Sequence, residues 1–230
     1  MDYNKLIAEQ LLKINAVVLS PEDPFTWASG IKSPVYCDNR LTLAYPDVRG
    51  DVIDAFVALI KENYPDAEVI AGTATAGIPH AALIAEKMNL PMAYIRSSAK
   101  SHGRKKQIEG IINPRQKTVV IDDLISTGGS VLTAVHAAEE AGAEILGVAA
   151  IFTYQLPQAS TNFTQEKIQL HTLTDFDTLI HLAEQQGKIT GTQLKQLKQW
   201  YADPTSEDWR RKRNKRKHIR FIFSLGASLH

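Results

Sequence analysis

Two adjacent carboxylates, Asp122 and Asp123, follow the apolar run Val119-Val120-Ile121 and stand just ahead of a small hydroxylic turn, Ser126-Thr127-Gly128-Gly129-Ser130. A helix-forming stretch, 131–141, comes next. The order is strand, acidic tip, small-residue loop, helix. Backbone N–H groups in such a loop, with the positive end of a helix dipole behind them, hold an anion such as a phosphate. The carboxylates can accept hydrogen bonds from sugar hydroxyls or face a hydrated Mg²⁺. An anion cradle beside an acidic pair suits a ribose phosphate. Taken alone, the two glycines could simply form a tight turn and Asp123 could be a capping residue. The two acids at a strand end favour the chemical reading.

A second group of reactive types lies upstream. Arg96 stands at the head of the polar, basic stretch 97–109, which holds Lys100 and His102 beside Gly103, Arg104, Lys105 and Lys106. The stretch has no hydrophobic period and reads as a long loop, a form common in lids and binding loops. Its cations suit a leaving group that gains negative charge.

The elements that must position these groups follow from periodicity. Helical spacing of Leu6, Ile7, Leu11, Leu12 and Ile14 predicts a helix over 3–14. Short strands are expected at 17–19, 25–27 and 34–38. Pro46 opens a helix that continues over 48–64. A strand at 68–71 leads into Gly72-Thr73-Ala74-Thr75-Ala76-Gly77, and Pro79 opens a helix to about residue 88. Further strands are expected at 92–95, 117–121 and 145–152. Thr174 or Asp175 could cap a helix through 185, and 192–201 reads as another. Strand–helix alternation from 68 to 154 predicts an α/β fold, a parallel sheet covered by helices, with ligands at the carboxyl ends of the strands. The loops 72–77, 97–109 and 122–130 should therefore meet in one crevice.

Composition sets the outer limits. With 230 residues, 44% of them hydrophobic, the chain can bury one sizeable core and carry a small appendage. No apolar run reaches the roughly 18 residues of a membrane span. The charged N-terminus, MDYNKLIAEQLLK, does not read as a secretory signal. Cys37 is the single cysteine, so no internal disulfide can form, and a reducing, cytoplasmic setting is expected. Cys and His lack zinc spacing. The net charge of +1 conceals an asymmetry. Residues 210–230 hold eight Lys/Arg and no acids, while the first 209 hold 18 Lys/Arg against 25 acids, a formal net charge of −7. The expected organisation is one domain over 1–203, with 204–230 a basic extension expected to be disordered. Only that tail could attract nucleic acid or an anionic surface.

The segment 118–130, TVVIDDLISTGGS, resembles the phosphoribosyl-pyrophosphate (PRPP) signature of type I phosphoribosyltransferases: an apolar strand, two acids, two apolar residues and a Thr/Gly loop. FTWASGIKSPVYCDNR, 25–40, resembles the N-terminal hood of orotate phosphoribosyltransferases. AGTATAGIP, 71–79, resembles their pyrophosphate loop, and RSSAKSHG, 96–103, their catalytic loop. Four motifs in family order, with a likeness continuing to about residue 201, identify the chain as similar to this family, and to its Gram-positive bacterial type.

The resemblance implies a type I phosphoribosyltransferase fold, mostly parallel, with a small hood mainly over 1–40. It implies that orotate and PRPP give orotidine 5′-monophosphate and pyrophosphate, with Mg²⁺, in UMP synthesis. It also implies a homodimer whose catalytic loops are shared across subunits. Asp122 and Asp123 would take the ribose hydroxyls and steady positive charge at the anomeric carbon. PRPP would also contact Leu124, Ile125, Ser126, Thr127, Gly128, Gly129 and Ser130, the last five as the 5′-phosphate cradle. Thr73, Ala74, Thr75, Ala76 and Gly77 would meet pyrophosphate through the backbone. Arg96, Lys100 and His102 would handle the leaving group, with Lys100 and His102 catalytic alongside the acids. Lys32, Tyr36, Ser126 and Tyr154 would border orotate, with Ser33, Pro34 and Val35 lining that side. The Mg²⁺ would sit mainly on pyrophosphate and water, with no firm protein ligand.

The sequence also departs from the family's pattern. Ala28, Ala76 and Ser97 replace lysines that many members carry, Ser101 replaces an aspartate, and Tyr154 stands where some place an arginine for the orotate carboxylate. Two rival functions keep the signature: transfer to a purine base, and non-catalytic PRPP sensing by a regulator of transcription or RNA. The hood favours orotate. The retained Arg96, Lys100 and His102 favour an enzyme.

Overall fold

The computed structural model describes residues 2–27, 30–97 and 107–210. Lys100 and His102, and the tail from 211 onward, lie outside the described residues.

The chain opens with α1 (Tyr3–Lys13), whose Asp2 cap accepts from Lys5 N and whose apolar face buries Ile7, Ala8, Leu11 and Leu12. Four short strands follow: β1 (Val17–Leu19), β2 (Phe25–Thr26), β3 (Lys32–Ser33) and β4 (Val35–Cys37). They form two antiparallel ribbons, β1 with β4 and β2 with β3. This is the hood. A 3-10 helix, Asn39–Ala44, leads to α2 (Pro46–Asn63), with Pro46 in its first turn, where its missing N–H costs nothing.

The main sheet then builds outward from its middle. β5 (Val69–Thr73), entirely buried, is followed by α3 (Gly77–Met88), β6 (Met92–Ile95), β7 (Ile108–Glu109), β8 (Lys117–Ile125), α4 (Gly129–Glu140), β9 (Glu144–Thr153), α5 (Pro157–Glu166) and β10 (Leu170–Asp175). The order is β10-β9-β8-β5-β6-β7, parallel except where β7 runs against β6. From β5 the chain moves to β6 on one side and later to β8 on the other. The switch point thus lies between β5 and β8, where a crevice opens at their carboxyl ends. α6 (Phe176–Gln185), capped by Asp175, and α7 (Gly191–Ala202), with a Thr190–Gln193 capping box, close the body.

The expected α/β architecture is the observed one, with adjustments that have local causes. β8 does not stop at Ile121. β9 runs beside it, pairing Asp122 with Ala150 and Leu124 with Phe152, so both acids belong to the strand. α3 begins at Gly77 and α4 at Gly129, each two residues before the expected start, so glycines supply their first turns. Ile108–Glu109 pairs with Tyr94 and Ile95, which shortens the expected loop. α5, rich in Ser, Thr, Asn and Gln, and β10, a half-buried edge strand, carry weak periodic signals and were not expected from the sequence. The packed body also passes residue 203. Trp209, in a 3-10 turn, is 2% exposed, and its carbonyl accepts from Gln196 Nε2 at 3.3 Å. No helix among the described residues is long and apolar enough to cross a membrane.

Candidate active site

Thr73 ends β5 and Asp122 lies in β8, directly across the switch point. Thr73 Oγ1 donates to Asp122 Oδ1 at 2.8 Å, and Asp123 N donates to the same oxygen at 2.9 Å. Both carboxylates are half-buried. Burial pushes the Asp122 carboxyl above its ordinary range, against the pull of the Thr73 and Asp123 donors. Asp123 is pushed up as well, by burial first and then by the neighbouring Asp122 charge. Two acids held so close are costly to ionise together. A ligand that offers hydroxyl donors or positive charge relieves that cost.

The loop after β5 is tight for a reason visible in its glycines. A Cβ on Gly77 would stand 2.3 Å from Ile121 O and 2.6 Å from Thr73 Oγ1, and one on Gly72 would stand 2.8 Å from Ala81 Cβ. Without side chains at these points, α3 packs against β8. Ala74 N donates to Ile95 O at 2.8 Å, and the Ala74–Thr75 peptide is cis. No side chain caps α3 at Ala76, and within its first turn Ile78 N donates to Thr75 O at 3.3 Å.

The loop after β8 has the same design. Gly128, in the left-handed region at φ 81, starts α4 with no side-chain cap. A Cβ there would meet Phe163 at 2.6 Å. From α5, Asn162 Nδ2 donates to Thr127 O at 2.8 Å and braces the loop from behind. Thr127, Gly129 and Ser130 are exposed and Ser126 is half-buried. Ser130 sits inside the first turn, so it is not the cap. Exposed hydroxyls, glycine and amides without a side-chain cap are the groups from which an anion cradle is built.

Arg96 leaves β6 beside both loops. Its backbone N donates to Gln107 O at 2.8 Å, and Nη1 lies 3.7 Å from Glu109 Oε1. Thr73, Ala74, Arg96, Ser97, Ser130 and Thr133 help to line a cleft of about 240 Å³. The expected meeting of the three loops is therefore seen for their described parts. Ile125 is fully buried and faces the core, leaving only its backbone for a ligand, and its carbonyl accepts from Tyr154 N.

The hood residues expected to border orotate are less uniform. Tyr36 is 42% exposed, with its ring 5.4 Å from that of Phe25, and Lys32 Nζ donates to Thr26 Oγ1 at 2.6 Å. Ser33 turns inward, and its hydroxyl donates to Val35 O at 2.8 Å. Tyr154 is not on the cleft wall. It is 3% exposed and packs between Trp27, Phe152 and Trp200, so its ring supports the hood from beneath. Aromatic bulk after β9 buries here, where a charged side chain would have to reach solvent. Asn39 and Asn162 were not singled out in the sequence. Asn39 lies within the hood motif 25–40 and Asn162 well beyond the 118–130 signature, and only the fold brings each to the segment it holds. Among the described residues no group of three or more His, Cys, Asp or Glu is placed to hold a metal ion.

Comparison with known proteins adds the relationship. Residues 47–169 match the phosphoribosyl transferase domain family. The chain is 56% identical over 208 residues to a Bacillus subtilis protein named orotate phosphoribosyltransferase, covering 90% of this chain and 96% of that one. It is 59% identical over 209 residues to the Streptococcus gordonii protein of the same name, covering 91% and 99%. Among solved structures, the orotate phosphoribosyltransferase from Aeropyrum pernix superposes with a TM-score of 0.69 at 25% identity, over 80% of this chain and 99% of that one.

Proposed function

The chain belongs to the orotate phosphoribosyltransferase family, and from that premise we propose how its residues carry out the transfer of a phosphoribosyl group from PRPP to orotate. The 5′-phosphate enters the cradle Ser126–Ser130, where amides and hydroxyls replace its water shell. Asp122 and Asp123 accept the ribose 2′ and 3′ hydroxyls. Their negative field then stabilises the cationic character that grows at C1 as the pyrophosphate bond breaks. The backbone of Thr73–Gly77 and the guanidinium of Arg96 receive the departing pyrophosphate. Arg96 can bind it through two parallel bonds once freed from Glu109. Lys100 and His102 are assigned to the same leaving group on their position in the catalytic-loop motif.

Orotate lies against the hood, with Tyr36 offering an aromatic face and Lys32 a cation for its carboxylate. The C1–N bond forms on the opposite side from the leaving group as the C1–O bond to pyrophosphate breaks, and the ring nitrogen releases its proton to solvent. The acidic pair fits a PRPP that arrives with Mg²⁺, since nearby positive charge offsets the cost of two neighbouring carboxylates whose burial disfavours the charged form. When bound, Mg²⁺ neutralises pyrophosphate charge. We assign it no ligand from the chain beyond this field. A homodimer that shares the catalytic loops, acting in the cytoplasm in UMP synthesis, completes the reading.

The observation that carries this reading is the Thr73–Asp122–Asp123 arrangement at the switch point, between two uncapped helix N-termini. The test is pyrophosphate release from PRPP and Mg²⁺ with orotate, uracil and adenine offered in turn. Turnover with orotate alone is expected, and turnover with adenine would overturn the base assignment.

A further inference from the structure

β5 pairs with β8 only as far as Gly72 opposite Ile121, whereas β8 continues to Ile125. Carbonyls two residues apart on a strand face the same edge. Those of Ile121 and Asp123 thus both face the edge that β5 leaves bare. Side chains complete it. Thr73 Oγ1 lies 3.2 Å from Ile121 O, and Asn39 Nδ2 donates to Asp123 O at 2.6 Å. Asn39 is 0% exposed and comes from the turn just after the hood.

The Asn39 amide is itself oriented. Cys37 Sγ donates to Asn39 Oδ1 at 3.3 Å. Turned over, the amide would set its oxygen against the Asp123 carbonyl, and both bonds would be lost. The thiol remains a donor because burial, and then the Asp123 and Asp38 charges, push its pKa well up. The Asn39 backbone is also tied, since Thr42 Oγ1 donates to its carbonyl at 2.7 Å.

We propose that Asn39 is a positioning residue for the transfer: its amide fixes the Asp123 segment of β8, and Cys37, one residue after Tyr36, sets the amide's orientation. The base-side strand and the ribose-side acid are thereby held in one register. Asn39 does not touch substrate. The inference rests on Asp123 binding the ribose of PRPP.

The test is a kinetic cycle on the full chain with PRPP, Mg²⁺ and orotate. Asn39→Ala should lower kcat/KM for PRPP about ten- to a hundredfold, the scale of leaving a buried carbonyl unpaired. Asp123→Asn alone and the double variant Asn39→Ala/Asp123→Asn should then lie within about threefold of each other, because the amide acts through that carboxylate. A double variant showing the full product of the two single losses would overturn the inference. Cys37→Ser keeps a donor and should recover most of what Cys37→Val loses; equal losses would remove Cys37 from the account. If Asn39→Ala does not fold, Asn39→Leu, close in shape but without the donor, takes its place in the cycle. An inactive parent would defeat the reading of the site itself, whereas an active parent with multiplicative losses defeats only the role of Asn39.

Discussion

Asp122 and Asp123 stand on a nine-residue strand at the centre of a six-stranded sheet, whereas Tyr36 stands on a three-residue strand in a two-stranded ribbon. The acid-bearing side is fixed by backbone pairing on β9, by the close approaches that Gly72, Gly77 and Gly128 permit and by a half-buried acid pair. The hood side has shorter strands, but Val17, Val35 and Cys37 join the main core, Asn39 bonds Asp123, and Trp27 lodges against Tyr154 and Trp200 at ring distances of 5.2 and 5.7 Å. In the proposed reading the sugar phosphate meets the long strands of the sheet, and the base meets short ribbons packed against it. Substitutions on the two sides should fail in different ways.

The sharpest separation is expected at Asp123. Asp123→Asn should cut turnover roughly a hundred- to a thousandfold, the scale of losing one preorganised electrostatic contact. The same change should raise the stability of the ligand-free protein at neutral pH by about 1 kcal/mol. The sign follows from linkage. A folded-state pKa above the unfolded value of about 3.9 means that the fold binds more protons between the two, so stability falls as pH rises through that window. An amide has no such cost. Thermal unfolding at several pH values beside steady-state kinetics checks both, and loss of activity together with loss of stability would break the contrast.

A comparable loss, in stability, is expected at the C-terminal edge. Trp209→Ala should cost about 3 kcal/mol, since its ring is fully packed, while a chain ending at residue 210 should unfold at the parent temperature. Equal midpoints for Trp209→Ala and the parent would place the body's end back at residue 203.

The hood should give a smaller, base-specific effect. Tyr36→Ala is expected to raise the orotate KM about tenfold and leave the PRPP KM within about twofold, the worth of one aromatic face. Tyr36→Phe should behave as the parent. Equal increases in both KM values would mean that the two sides are one unit.

How far the sequence revealed these two sides follows the same division. The ribose side was legible because its parts are contiguous: a strand, two acids and a Gly-Gly loop that appear in order in the chain. The convergence of 72–77 with 122–130 followed from the parallel-sheet rule alone. Much of the hood was not legible. Asn39 matters through a bond to Asp123, 84 residues away, and nothing in its local spacing announces that. Tyr154 occupies a position that reads as ligand-facing, yet its neighbours Trp27 and Trp200 come from the two ends of the chain and bury it. α5 was hidden by its Ser, Thr and Asn content, although Asn162 and Phe163 brace the loop at Thr127 and Gly128.

The central claim is that the raised carboxyl pair at the switch point receives the ribose of PRPP. It is tested most directly by counting protons released when PRPP and Mg²⁺ bind, using calorimetry in buffers of different ionisation enthalpy, for the parent and for Asp123→Asn. The phosphates contribute equally to both, so the difference reports the acid pair. The account predicts more protons released by the parent, with PRPP affinity rising as pH climbs through the raised carboxyl range and that rise blunted in Asp123→Asn. Equal proton release and equal affinity in the two proteins would contradict it.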